Sequence, residues 1–335
     1  TYDVKVFTLS FDVRNREAAK KAVDYIPEEW RNVDVLINNA GLARGLEPEY
    51  EGDFEDWDQM IDTNIKGLLT MTRLIDLTQT LDPDNRAKLP PQLMSAAPVL
   101  APLIEYHHPA ETGADEFCRY LGCHHDDLPD GEGWGAEMLN DMSSHCGTHV
   151  DAPLHSGSKI AGMPARTITD IPLEELYRPG MVLDVRPWAK LGEEITIAML
   201  DAAMAATGST IQPGMAVLIR TGQEQFKLTD AQFYMQPGMS RASTLHLTRQ
   251  GATILGTDAV GWDLPFGVMA RKYQESKDKA VLWDGHKAIV EREAFIVQQM
   301  CNLGALPLSG FMVGFFPIKL ARCSAAPARV VAFVD

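Results

Sequence analysis

Ser143-Ser144-His145-Cys146-Gly147-Thr148-His149-Val150-Asp151-Ala152-Pro153-Leu154-His155 is the stretch on which the reading of this 335-residue chain turns. Its histidines and its carboxylate stand at the odd positions 145, 149, 151 and 155, with Cys146, Thr148, Val150, Ala152 and Leu154 between them. A period of two belongs to extended backbone, which sends successive side chains to opposite faces. The reading is therefore a strand with its polar groups on one side and a mostly apolar row on the other. Gly147, Thr148, Val150 and Pro153 disfavour a helix. On a strand His149 and Asp151 lie about 6.6 Å apart, near enough to share an ion, whereas His145 and His149 would be about 13 Å apart if it ran straight. One cation gathers the set only if Gly147 permits a bend and Pro153 turns the chain before His155. Imidazoles and a carboxylate crowded on one face each need a partner. Nitrogen and oxygen donors without an aligned thiolate suit zinc, manganese or ferrous iron, and Cys146 has the wrong parity to join them.

The surrounding composition is 45% hydrophobic and 23% charged, enough apolar material for a core and inconsistent with disorder, collagen or low complexity. At about 150 residues per domain, the length predicts two domains. The 30 Lys+Arg against 46 Asp+Glu leave a formal charge of −16. That field repels phosphate backbones and anionic lipid, so the expected partner is a small-molecule substrate, with no nucleic acid and no membrane. The five cysteines, at 118, 123, 146, 301 and 323, contain no C-x-x-C pair, which predicts neither a disulfide framework nor a four-cysteine zinc site. No stretch approaches 18 uncharged apolar residues, and a cytoplasmic protein is expected.

Residues 1–75 alternate short strand-like and helical runs: a strand over 4–9, a helix over 17–25, a buried strand over 33–37 and an amphipathic helix over 57–74. Asn38-Asn39-Ala40-Gly41 follows the second strand, and Asp62-Thr63-Asn64 is read as opening the next helical stretch. These two features resemble the middle of a short-chain dehydrogenase/reductase. The resemblance covers about a fifth of the chain and implies a βαβα Rossmann-like fragment. It lacks the glycine-rich phosphate loop, the catalytic Ser and the nearby Tyr-x-x-x-Lys, and the only such tetrad-like pair, Tyr273 and Lys277, stands in unrelated context. Pyrophosphate binding depends on that glycine turn, so the expectation is a truncated piece with no cofactor-binding residues. The domain boundary is placed just before Asp76. Beyond a loop over 81–91, strands are expected over 181–185, 216–220, 253–256 and 330–334, and helices over 173–177 and 197–206.

The run from His145 to His155 fits H-x-G-T-H-x-D-x-P-x-H and resembles the signature of the cyclase-like metal hydrolases, which include kynurenine formamidase and isatin hydrolase. Residues 76–81, 217–222, 256–258, 301–307 and 316–319 resemble further segments of that family, so the likeness spans 76–335. It implies an α/β fold of the cyclase (swivelling β/β/α) type. It also implies His145, His149 and Asp151 as metal ligands, His155 as acid/base group, and a site role for His286 and, twelve residues on, Gln298. A neutral amide in place of a carboxylate at Gln298 supplies no charge, favouring one divalent ion, Mn2+ or Zn2+, with Gln298 as a further ligand. Ser156 replaces the aromatic residue usual after the last motif histidine.

The activity so implied is metal-dependent hydrolysis of a small amide, cyclic amide or ester, such as an aryl formamide or isatin-like lactam. The ion would lower the pKa of a bound water towards 7, His155 would take and return the proton, and His286 would orient water or substrate. The alternatives are an NAD(P)-dependent oxidoreductase working through the first 75 residues, and a non-catalytic metal-stabilised protein. The family also implies a homo-oligomer, a dimer or larger. Trp134, Trp262 and Phe266 are candidate walls of an aromatic pocket, while His107-His108 and His124-His125 are read as exposed pairs.

Overall fold

The computed structural model describes residues 5–31, 54–66 and 73–334. Its contacts divide the chain into two units, residues 1–75 with 333–335, and Asp76–Ala332.

In the first unit the helix Arg16–Asp24 begins where Asn15 accepts a hydrogen bond from the backbone N–H of Ala18, an N-cap that satisfies one of the helix's free donors. Of the strand expected over 4–9, the described residues 5–9 carry no strand assignment. Of the helix expected over 57–74, the described residues hold the helix Phe54–Ile61 and the π-helical turn Asp62–Lys66 that continues it and contains Asp62-Thr63-Asn64, while 67–72 lie outside the described residues. Leu74 is in the strand Arg73–Asp76. The expected strand over 33–37 and the turn at 38–41 lie outside the described residues.

The second unit is built on a closed seven-stranded barrel: β1 (His149–Asp151), β2 (Tyr177–Asp184), β3 (Ala216–Arg220), β4 (Ile254–Thr257), β5 (Phe295–Gln298), β6 (Ser309–Pro317) and β7 (Ala325–Val334). The order is β7-β6-β2-β3-β4-β5-β1, and β1 returns to pair with β7. Strands β2 to β5 are parallel neighbours, and β1 is antiparallel to β5. Parallel strands covered on both faces read as unbroken apolar runs, which is why 216–220 and 253–256 were recognisable. The expected helix over 173–177 is a single 3-10 turn, Leu173–Glu175, and Tyr177 already belongs to β2.

On one face of the barrel Met181, Leu183, Val217, Ile219, Leu255 and Ile296 pack beneath α1 (Ile197–Thr207) and α2 (Arg241–Gln250) through Leu200, Ala203, Met204 and Leu247. The alternate residues of the same strands turn inward. There a Cβ added at Gly256 would meet Leu218 Cδ2 at 2.5 Å and Met300 Sδ at 2.8 Å, and both neighbours are fully buried. Gly256→Ala is accordingly expected to cost about 1–3 kcal/mol of stability, read as a lower urea midpoint at unchanged slope. An unaltered midpoint would show that the interior has room to spare.

Candidate metal centre

Strand β1 contributes His149 and Asp151, and the bends on either side of it fold the flanking histidines back. Gly147 takes φ +63, a left-handed conformation that suits glycine, and a Cβ there would strike Leu81 Cδ2 at 2.3 Å. At the other end Pro153 starts the helical turn Pro153–Ser156, with the N–H of His155 donating to Ala152 O at 2.9 Å. The two bends bring residues ten apart in sequence together: His145 Nε2 and His155 Nδ1 are separated by 2.9 Å.

The centre of the cluster is Asp151, 2% exposed. Its Oδ1 lies 3.4 Å from His145 Nε2 and 3.5 Å from His149 Nε2; its Oδ2 lies 4.0 Å from His155 Nε2 and 3.7 Å from His286 Nε2. His145, Asp151 and His155 each offer a ligand-type atom within 4.8 Å of the others. His149 faces the same carboxylate, and its Nδ1 is 2.7 Å from Gly147 O. That contact assigns the proton to Nδ1 and leaves the Nε2 lone pair towards Asp151. Gln298 sits opposite His149 in the β5–β1 ladder. Its Nε2 donates to Asp151 Oδ2 at 2.6 Å, so the amide presents a donor to the cluster, whereas a ligand would have to present Oε1.

These residues fit a divalent cation. Asp151 Oδ1 is buried and accepts no hydrogen bond, a costly state for a carboxylate oxygen unless an ion takes the lone pair. Burial pushes the Asp151 carboxyl up, but the imidazoles of His149 and His155, with those of His286 and His145, outweigh it and hold the group well below the usual carboxylate range. Burial pushes His155 down to about 4, against the pull of Asp151, and moves His145 in the same direction. Both rings thus keep a lone pair at neutral pH. Cys146 is buried, and its thiol is pushed up to about 11 by desolvation, which keeps it protonated and out of the ligand set.

Asp263 is a member of the site that the sequence did not reveal. Its carboxylate hydrogen-bonds His286 Nδ1 and accepts the N–H of Gly285 at 2.5 Å and of His286 at 3.3 Å. Burial lowers the His286 pKa, but Asp263 and Asp151 overcome it and raise the group to about 9. This pair therefore stabilises the metal-free fold fully below pH 6.5 and loses that contribution as the pH rises through about 9. In chelator-treated protein, Asp263→Asn is expected to bring the NMR titration of His286 down by more than one unit. A titration that stays put would deny Asp263 that role.

Beside the cluster lies a cavity of about 670 Å³ whose lining includes His145, His149, His155, His286 and Gln298. Leu100, Val260, Leu264 and Val268 make its walls largely apolar. Of the expected aromatic walls, Trp262 and Phe266 line it; Trp262 is buried with Nε1 donating to Thr244 Oγ1 at 3.0 Å, and Phe266 stands 82% exposed. Trp134 packs instead edge-on against Phe117, in a different part of the unit. His108, His124 and His125 are exposed as expected, whereas His107 is half-buried with Nδ1 3.1 Å from Glu116.

Among the described residues no helix is long and apolar enough to cross a membrane. The short chain dehydrogenase family model matches residues 1–80. Over 70 residues the chain is 54% identical to the NADP-dependent 3-hydroxy acid dehydrogenase YdfG of Salmonella typhi, which is 21% of this chain and 28% of that protein. The chain thus spans less than a third of the length of the curated relatives it matches. Among solved structures it is similar to isatin hydrolase A of Labrenzia aggregata, with 23% identity, a TM-score of 0.58, and 83% of this chain and 98% of that one covered. An isatin hydrolase bound to the product analogue thioisatinate gives 20% identity, a TM-score of 0.58, and coverage of 84% and 99%. At these identities the likeness is one of fold. The Cyclase family model matches residues 75–264, more than half of the chain, and with the barrel and the His-Asp cluster in place, the chain belongs to the cyclase family, preceded by a short-chain dehydrogenase fragment.

Proposed function

We propose that the second unit is a metal-dependent hydrolase of a small amide, cyclic amide or ester, with aryl formamides and isatin-like lactams the first compounds to test. The observation that carries this reading is the buried Asp151 Oδ1, without a hydrogen-bond partner, facing imidazoles that themselves line an apolar cavity. His145, His149 and Asp151 would hold one Mn2+ or Zn2+, and Gln298 would join them with its Oε1 turned inward. A cation bound there supplies Lewis-acid polarisation of the scissile carbonyl and a lowered pKa for water.

The protein's own groups do the rest. His155, neutral at pH 7 and half-buried at the cavity floor, accepts the proton of the attacking water and returns it to the leaving nitrogen or oxygen. His286, anchored through Nδ1 by Asp263, orients the reacting groups through Nε2. The apolar walls exclude competing water and receive the flat carbon skeleton of the substrate. The two structures of isatin hydrolase, similar in fold, make isatin the first lactam to assay.

The test combines elemental analysis of the purified protein with a panel of aryl formamides, lactams and lactones. The expected result is about one Mn2+ or Zn2+ per chain and turnover that chelation abolishes and the metal restores. Full occupancy without turnover across the panel would favour a metal-stabilised, non-catalytic protein.

A further inference from the structure

Trp283 packs against both His155 and His286, the imidazoles assigned to proton transfer and to orientation. Its ring centroid is 4.9 Å from that of His155, edge-on at 87°, and 4.8 Å from that of His286, tilted at 32°. The two imidazoles are themselves 5.3 Å apart, so the three rings form one closed cluster at the floor of the cavity.

The indole is held there from a backbone conformation that bulky residues rarely adopt, φ 58 and ψ 40, where glycine or asparagine is usual. The segment around it is tied at several points. Trp283 N–H points to Met269 Sδ at 3.3 Å, Lys287 N–H donates to Trp283 O at 3.0 Å, and the side chain of Asp284 accepts Arg241 N–H at 2.8 Å. Lys287 Nζ lies 5.6 Å from the indole centroid and donates to Ser156 O at 2.7 Å, one residue beyond His155. The lysine thus joins the turn that carries His155 to the helix that carries His286, with the indole packed against both imidazoles. An unusual conformation that persists at a tightly tied position marks a side chain whose placement matters more than its backbone preference.

We propose that Trp283 is a positioning residue that fixes the relative orientation of the His155 and His286 rings, and that turnover depends on it without its touching the metal. The inference rests on the functional reading above. A mere cavity wall would act on substrate affinity, whereas a positioner acts on the chemical step.

The test uses the full chain as purified with its metal, and the variants Trp283→Asn and Trp283→Phe. Asparagine suits the left-handed backbone and removes the ring, so it should fold; phenylalanine keeps an aromatic surface. Trp283→Asn is expected to lower kcat at least tenfold with KM within twofold and metal content and thermal midpoint unchanged, and Trp283→Phe to recover most of the loss. An unchanged kcat, a rise in KM alone, or no rescue by phenylalanine would overturn the proposal. A second readout needs no turnover: in zinc-loaded protein the imidazole 15N–1H correlations of His155 and His286 should broaden in Trp283→Asn and stay sharp in Trp283→Phe. Equally sharp signals in both would also overturn it. If the wild type hydrolyses nothing on the panel, the functional reading fails, and the imidazole spectra still decide the positioning role.

Discussion

Asp151→Asn should empty the centre of its metal and abolish turnover in one step. The substitution keeps the size and the planar shape of the side chain, so the barrel strand has no reason to unfold. What changes is charge and donor pattern. Among the described residues the carboxylate is the single anion that faces His145, His149, His155 and His286 together, and an amide in its place provides no negative charge and turns one ligand atom into a donor. Divalent ions held by two neutral imidazoles and an amide bind far more weakly than with a carboxylate in the set. The expected measurement is metal content falling from about one per chain to near zero, with hydrolysis down by roughly a thousandfold or more. Retained metal would mean that the ion sits elsewhere.

The second large effect separates binding from chemistry. His155→Ala is expected to leave the metal content close to that of the wild type while kcat falls by about 10²- to 10⁴-fold. The distinction rests on the family likeness, since His155 is one of the three residues whose ligand-type atoms lie within 4.8 Å of one another, and on two features of the site. His155 approaches Asp151 only at 4.0 Å and belongs to a helical turn outside β1, whereas His149 and Asp151 are both on the strand. His155 is also the nearest neighbour of His145, at 2.9 Å, so a loss of metal in this variant would move it from the proton-handling role into the ligand set. Stoichiometry by elemental analysis, measured beside kcat on the same preparation, reads out the two possibilities separately.

Most of this centre was legible because the informative residues are local. Four groups of one parity in eleven positions can be read without knowing the fold, and Gly147 and Pro153 announce the two bends that the distances demand. The strands were legible where parallel neighbours bury both faces, as in β3 and β4. What escaped is what only the tertiary structure creates. Asp263 meets His286 across 23 residues of sequence, and no spacing rule links an aspartate in a Gly-Trp-Asp-Leu-Pro stretch to a histidine on a four-residue helix. Trp283 escaped for the same reason, since its neighbours come from three different segments. Asp62-Thr63-Asn64 was assigned to the start of a helix from a motif, and it lies in the π-helical turn that follows Phe54–Ile61. Gln298 was found at its position by family likeness alone, and it is the fold that reveals which of its amide atoms faces Asp151.

The central claim is that nitrogen and oxygen atoms from His145, His149 and Asp151 converge on one ion. X-ray absorption at the metal edge of zinc-loaded protein tests it directly. The account predicts an inner shell of nitrogen and oxygen at about 2.0–2.2 Å, with the outer-shell scattering of imidazole rings that diminishes in His149→Ala. A shell of sulfur at about 2.3 Å, or a spectrum without imidazole that His149→Ala leaves unchanged, would contradict it.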